Sequence, residues 1–233
     1  MKKQDFVFII CIILFISIFI VIEPIKEWFL SWSAAKDWRA FVLAFLKFGI
    51  LATIGECIGL RITQGVYNKK GFGVLPRAFV WGILGVCISI AMGIFAGGTF
   101  GFLNQCGVHI DPISLAHESF GTRLLYAFSV SVLMNTFFAP VFMTIHKITD
   151  IHITHTGGTL KGFFTPIPAK QIISEMDWQR QWSFVFMKTI PFFWYPAHTL
   201  TFMLPGEYRV LCAALLGVAL GVILSLANLK KTK

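Results

Sequence analysis

Six apolar runs dominate the sequence, and each is close to the length that a helix needs to cross a bilayer. They occupy residues 6–22, 41–60, 78–98, 123–146, 183–204 and 209–228. A hydrocarbon core about 30 Å thick requires roughly 20 apolar residues per helix, with about 17 as the lower limit. Only 13% of the residues are charged, against about 25% in soluble domains. The sequence therefore predicts an all-α membrane protein, a compact bundle of about six transmembrane helices.

Basic residues lie mainly at the ends of these runs, as the positive-inside rule and anionic headgroups favour. With the N-terminus inside, the inner segments carry more Lys and Arg than the outer ones, so both termini are predicted to be cytoplasmic. The first run lacks a small-residue cleavage site after it, which favours a retained anchor over a signal peptide. The predicted regions are an anchor and interfacial segment (1–40), a helical membrane domain (41–228) and a basic cytoplasmic tail (229–233).

Small residues recur at four-residue spacing, which places them on one face of a helix. Such residues let the backbones of membrane helices approach closely. The residues predicted to pack in this way are Gly59, Gly85, Ser89, Gly93, Gly97, Gly217 and Gly221. We accordingly expect Gly93→Leu to weaken the packing of the bundle much more than Ile90→Leu.

A carboxylate, Glu56, lies inside the second run. An ionised carboxylate in lipid costs several kcal/mol or more, so it must be protonated, paired or facing water. Two interpretations remain open. Glu56 either lines a water-accessible pathway or makes a structural hydrogen bond to Asn135 or to backbone that a proline has freed.

The segment IPFFWYPAHTLTFMLPGEYR, residues 190–209, is apolar yet contains three prolines. Proline removes a backbone donor and kinks a helix, and irregular backbone at membrane depth requires protein or water to satisfy it. The fifth helix is therefore predicted to be kinked and packed inside the bundle, with His198 and Thr199 as local hydrogen-bonding partners. Pro140 makes the same demand on the fourth helix. His198 is open to a structural and a functional interpretation.

Motifs for catalysis or metal binding are not evident. The sequence has no HExxH, GxSxG or phosphate-binding glycine loop. His152 and His155 form a bare H-x-x-H without nearby carboxylate or cysteine partners, which is too sparse for a metal site. We predict no catalytic residues, no metal and no cofactor.

Three segments of the sequence combine glycine, proline and polar residues in a recognisable order. FGILATIGECIGLRI places Gly49, Gly55 and Glu56, and NTFFAPVF places Asn135 and Pro140. FFWYPAHTLTFMLPGEYRV places the remaining motif residues, which are Pro196, Phe202, Pro205 and Arg209.

In their order and spacing these segments resemble the peroxisomal membrane protein family of the 22-kDa type, which contains the Mpv-seventeen and Sym-one proteins of the mitochondrial inner membrane. The chain departs from the family pattern where Glu56 replaces an Asp and Asn135 replaces a Gln. Whether His198 or Thr199 stands for a second family Gln stays open. The resemblance implies a small helical membrane protein that forms a weakly selective pore for small solutes.

These observations together predict a channel or transporter for small solutes, with a polar pathway lined by Glu56, Asn135, His198 and Thr199. The alternative is a non-conducting membrane scaffold in which the same groups tie kinked helices together. The predicted partners are the lipid bilayer and small solutes, and self-association is open. Nucleic acid is not a predicted partner despite the net charge of +9, because the basic residues are not interleaved with aromatics in a polar segment. A bacterial cytoplasmic membrane is favoured, with a eukaryotic organelle membrane as the alternative.

Overall fold

The structure is a computed structural model that describes the backbone of residues 3–231 and the side chains of residues 3–226 other than 16 and 20. Over these residues the chain is helical and contains no strand. It divides into two compact units, one ending at Leu43 and one beginning at Ala44. The division falls inside a long helix, and each unit is described separately.

The helices of the described part are joined mostly by short turns. They are α1 (Lys3–Val21), α2 (Glu23–Ser33), α3 (Trp38–Gln64), α4 (Val74–Gln105), a 3₁₀ turn (Leu115–His117), α5 (Phe120–Phe137), α6 (Ala139–His155), α7 (Leu160–Phe163), α8 (Ala169–Glu175), α9 (Trp178–Arg180), a π-helix (Gln181–Trp194), α10 (Tyr195–Met203) and α11 (Gly206–Lys231).

Three helices of the described part are long and apolar enough to cross a membrane: α3, α4 and the Gly206–Leu226 part of α11. Two bent pairs raise the number to five if each pair is one span. The α1–α2 pair bends by 78° and the α5–α6 pair by 46°. In length and composition these apolar helices fit an integral membrane protein, but the predicted count of six spans is not confirmed. The fifth run is divided between the π-helix, with 14 residues, and α10, with 9, and each is too short alone.

The predicted fourth span is broken at Phe138, which lies between α5 and α6 and caps both helices. Pro140 occupies the first turn of α6. A proline is tolerated there because the first backbone N–H groups of a helix have no partner within that helix. The break therefore turns α6 away from the axis of α5 at the proline.

An apolar core in the second unit holds α4, α5, α10 and α11 together. Ala127 and Val130 of α5 are fully buried in it. The Tyr126 hydroxyl donates to the carbonyl oxygen of Ala96 at 2.8 Å, and its ring stacks on Phe100 with centroids 4.5 Å apart. This half of the unit is densely packed.

Glycines bring α3 close to α4. A Cβ added at Gly85 would lie 2.5 Å from the Cβ of Phe48, and one added at Gly49 would lie 2.9 Å from the oxygen of Ala78. Both distances are shorter than side chains tolerate, so glycine is needed at these two crossing points.

Glycines also bring α3 close to α11. A Cβ at Gly55 would lie 3.1 Å from the Cα of Val218, and one at Gly59 would lie 2.9 Å from the Oγ of Ser225. Gly221, predicted to pack, has the oxygen of Gly55 as its nearest neighbour, at an ordinary 3.9 Å.

The predicted packing role of Gly93, Gly97 and Gly217 is wrong. A Cβ at any of the three would meet no atom within 4 Å. Along α4, Gly85 is buried, Ser89 is half-buried, and Gly93 and Gly97 are exposed. Four residues turn a helix by 40° more than a full turn, so Gly97 lies about 120° around the axis from Gly85. The stripe therefore turns away from α3, and Gly93→Leu is not expected to damage packing.

Candidate functional site

A cavity of about 590 Å³ lies in the second unit, lined by α3 to α6, the π-helix, α10 and α11, with Arg180 from α9. One wall comes from α3 and α11, where Gly55, Gly59, Gly217 and Gly221 contribute no side-chain bulk. Further lining comes from α5 and α6. Gly217 thus borders open space in the cavity rather than a neighbouring helix.

Three of the four residues predicted to line a polar pathway meet at this cavity. Glu56, Asn135 and His198 all line it, although they lie far apart in the sequence. Thr199 does not belong to the lining. It is buried, and its hydroxyl donates to the carbonyl oxygen of Tyr195 at 2.7 Å.

Glu56 is paired with a cation at one end of the cavity. Its Oε2 lies 2.5 Å from Nη1 of Arg77. Its Oε1 accepts from the indole Nε1 of Trp81 at 2.8 Å and lies 3.4 Å from Nε2 of His146. Asn135 is not the partner of Glu56, so the sequence-based structural alternative named the wrong group.

Arg77 of α4 is linked to α3 and α6, and each of its three side-chain nitrogens has a partner. Besides Glu56 on α3, its Nη2 lies 2.5 Å from Oδ1 of Asp150 on α6. Its Nε donates to the carbonyl oxygen of Phe72 at 2.7 Å, and its guanidinium carbon lies 4.6 Å from the centroid of the Phe72 ring. The planar guanidinium suits such a fork of acceptors. Only 10% of the Arg77 side chain is exposed, so the ion pairs are shielded from water.

We call Glu56, Arg77, Trp81, His146 and Asp150 the charged end of the cavity. With Arg180, which also lines the cavity, it contributes two carboxylates and two guanidiniums. The fixed charge on the lining is therefore balanced.

The other end of the cavity is neutral. The Nδ2 of Asn135 donates to the carbonyl oxygen of Ser131 at 2.8 Å and lies 3.2 Å from Nδ1 of His198. Trp194 stands beside His198, with ring centroids 5.0 Å apart. We call Asn135, Trp194 and His198 the neutral end.

The backbone before Pro196 is supported from α5. The Ser131 hydroxyl donates to the carbonyl oxygen of Tyr195 at 2.8 Å, the same oxygen that accepts from Thr199. Such bonds supply the hydrogen bonds that an interrupted helix needs within a bilayer.

Three motif residues lie at or beside the turn between α10 and α11, outside the cavity lining: Phe202, Pro205 and Arg209. Arg209, in the first turn of α11, donates from Nε to the oxygen of Leu204 at 3.0 Å and from Nη2 to that of Phe202 at 3.2 Å. Pro205 lies in the turn between α10 and α11. Arg209 therefore satisfies carbonyl groups at the end of α10, which is a structural role.

Sequence reasoning missed five residues of the site: Arg77, Trp81, His146, Asp150 and Trp194. Arg77 and Trp81 are four residues apart on α4, and His146 and Asp150 are four apart on α6, so each pair shares a helix face. This spacing, read together with the need of Glu56 for a cation, was the available signal. Nothing in the sequence marked Trp194 apart from its neighbours.

The described part of the chain contains no group of three or more His, Cys, Asp and Glu arranged to hold a metal ion. Within the same residues, His198 has a hydrogen bond to Asn135 and none to a serine or cysteine. No protein-family model, no curated protein and no solved structure matches the chain at a significant level.

Proposed function

We propose that this protein passes small solutes across a membrane through a gated internal cavity. The observation that carries the proposal is that Glu56, Asn135 and His198 line one cavity of about 590 Å³. Binding sites for small molecules in proteins commonly have volumes of about 300–1,000 Å³. The proposal includes six crossings with both termini in the cytoplasm, and membership of the family that the motifs resemble.

The length of the cavity supports this proposal. Its lining runs from Phe48 to Thr63 on α3 and from Ala213 to Ser225 on α11. At 1.5 Å per residue these stretches measure roughly 22 Å and 18 Å. They extend over more than half of a hydrocarbon core about 30 Å thick. Arg77 lies in the first turn of α4, which begins at Val74, so the charged end is near the α3–α4 turn, on the predicted cytoplasmic side.

A gate is part of the proposal because an apolar core follows the neutral end. Beyond Asn135, the side chains of Tyr126, Ala127 and Val130 are buried against α4 and α10. A solute that reaches the neutral end would continue only if α5 moved relative to these helices. Passage is therefore proposed to follow a change of conformation, as in carriers whose central site opens to one side at a time.

The balanced charge of the lining bears on selectivity. Two carboxylates and two guanidiniums leave no net fixed charge, so neither cations nor anions gain a general electrostatic advantage. Weak discrimination among small neutral solutes is the expected behaviour.

A membrane scaffold is the second candidate. It is favoured by the pairing of Glu56 with Arg77 and Trp81, because a satisfied carboxylate needs no aqueous pathway. In that role the charged end would hold α3, α4 and α6 together without any flux.

Swelling of proteoliposomes in neutral solutes of graded size separates the two candidates. We expect wild-type protein to admit small solutes and to exclude large ones. Glu56→Gln and His198→Ala should reduce the rate. Phe192→Ala is the matched control, since Phe192 is 80% exposed on the π-helix and does not line the cavity. Swelling no faster than in empty liposomes, or equal rates in all four proteins, would favour the scaffold and refute passage.

A further inference from the structure

Two buried nitrogens of the neutral end have no hydrogen-bond partner among the described residues. They are Nε1 of Trp194 and Nε2 of His198. Both side chains line the cavity, and His198 is only 7% exposed. Buried polar groups in folded proteins are nearly always hydrogen-bonded, so each exception requires an explanation.

The tautomer of His198 follows from its neighbour. The Nδ2 of Asn135 is fixed as the amide nitrogen because it lies 2.8 Å from the carbonyl oxygen of Ser131, which can only accept. An amide nitrogen only donates, so Nδ1 of His198, 3.2 Å away, must accept and carries no proton. In the neutral ring the proton is then on Nε2. His198 and Trp194 therefore each carry an N–H donor without a protein acceptor. Both nitrogens are covered, so a ligand reaches them only when the surrounding side chains shift.

The two donors belong to neighbouring side chains of the neutral end. The rings of Trp194 and His198 have centroids 5.0 Å apart and are inclined by 58°. The other cavity residues from this region, including Met134, Phe138 and Ala213, are apolar. They supply no acceptor for the two N–H groups.

We propose that the neutral end, once its covering side chains shift, binds a small uncharged solute whose oxygen acceptors, such as ketone or amide carbonyls, accept from the N–H groups of Trp194 and His198. This inference rests on the proposed function in taking the cavity to be the binding site of the solute. It adds the chemical class of the ligand and the two groups that recognise it.

An uncharged ligand is favoured because this end offers no cation. Arg77 is paired with Glu56 and Asp150, and Arg180 precedes Trp194 by the whole π-helix. Moving an ionised carboxylate from water into apolar surroundings without a partner is strongly unfavourable. Two neutral N–H donors suit a carbonyl oxygen better.

The test uses three probes of similar size with full-length protein in lipid discs. Acetophenone has a neutral carbonyl, cumene has nearly the same shape without an acceptor, and benzoate is anionic. Dissociation constants are measured by calorimetry, with empty discs subtracted to remove partitioning into lipid. A hydrogen bond to a neutral acceptor corresponds to a preference of about three- to tenfold, and we expect acetophenone to exceed cumene by this factor.

Trp194→Phe locates the effect, because it removes one donor and keeps an aromatic ring. We expect it to lower the ratio of acetophenone to cumene affinity about threefold. Trp182→Phe is the control, since Trp182 is 60% exposed on the same π-helix and does not line the cavity. In wild-type protein, acetophenone should shift the indole N–H resonance of Trp194, which is assigned by its loss in Trp194→Phe.

Several results would overturn the inference. They are equal affinity for acetophenone and cumene, tighter binding of benzoate, no binding of any probe, or a preference that survives in Trp194→Phe. A Trp194 resonance that differs between ester-linked and ether-linked lipids before any probe is added would also overturn it, since the occupant would then be a lipid ester. Binding as predicted without solute flux would uphold this inference and refute the proposed transport. Solute flux without a preference for acetophenone over cumene would refute this inference and uphold the proposed transport.

Discussion

The two ends of the cavity differ in how their polar groups are satisfied. At the charged end, Glu56, Arg77 and Asp150 satisfy one another across three helices. At the neutral end, Asn135 is hydrogen-bonded, whereas Trp194 and His198 each keep a donor without a protein partner. The charged end is therefore complete by itself, and the neutral end is the part suited to a ligand.

This difference shows that a charge within a membrane helix is not by itself a sign of a binding site. The two partners of a buried ion pair satisfy each other's hydrogen bonds, and removing either partner destabilises the fold. Neutral groups with unused donors mark a binding site more directly. If the two ends have these roles, loss of Arg77 at the charged end should destabilise the protein most, and loss of the indole N–H of Trp194 should destabilise it least.

Arg77→Ala should give the largest loss of stability. It removes the guanidinium from Glu56, which keeps only Trp81 and His146, and from Asp150, which keeps only Lys147. Removing one partner of a buried pair typically costs about 3–5 kcal/mol. Melting in detergent micelles measures the effect. Arg180→Ala is the matched control, because Arg180 is an exposed residue of the same cavity, and we expect a change of less than about 0.5 kcal/mol. Similar melting curves for both variants would contradict the structural role of the charged end.

Asn135→Ala should give an intermediate loss at the neutral end. It removes the donor to the Ser131 carbonyl and to Nδ1 of His198. Leaving buried acceptors unsatisfied costs about 1–3 kcal/mol. The same melting experiment applies, with Phe137→Ala as the control because Phe137 is exposed at the end of α5. An effect as large as that of Arg77→Ala would remove the distinction between the two ends.

Trp194→Phe should give the smallest loss of stability in the absence of ligand. Its indole N–H has no protein partner, so no hydrogen bond is broken, and the lost volume adjoins an existing cavity. We expect a change below about 1.5 kcal/mol, since Phe keeps an aromatic ring against His198 and swaps between hydrophobic residues of similar size usually cost less than this. A loss of several kcal/mol in melting would mean that Trp194 supports the fold and is not reserved for a ligand.

Part of this account could be predicted from the sequence. Helical membrane character follows from the apolar runs, and Glu56, Asn135 and His198 stand out because polar groups are rare within such runs. Their pairing could not be predicted, because it depends on which faces of α3, α4 and α6 meet. The stripe of α4 failed for a related reason. Residues at four-residue spacing from Gly85 to Gly97 turn by about 120° around the helix. The sequence does not show at which residue α3 diverges from α4.

The number of membrane spans could not be predicted from the sequence either. Hydropathy treats residues 123–146 and 183–204 as continuous runs, whereas the backbone breaks at Phe138 and changes from π-helix to α-helix after Trp194. Prolines marked both regions for irregularity, but the size of a bend depends on the neighbouring helices that receive the displaced carbonyl groups.

The most direct test of the central claim is to fill the cavity without touching a polar group. Gly217 borders the cavity, and a Cβ there meets no atom within 4 Å. Gly93 has equally open surroundings but faces outwards and does not line the cavity. In proteoliposomes containing equal amounts of folded protein, Gly217→Leu should reduce the flux of small neutral solutes at least tenfold, while Gly93→Leu should retain wild-type flux. Equal flux in the two variants would contradict the claim that solutes pass through this cavity.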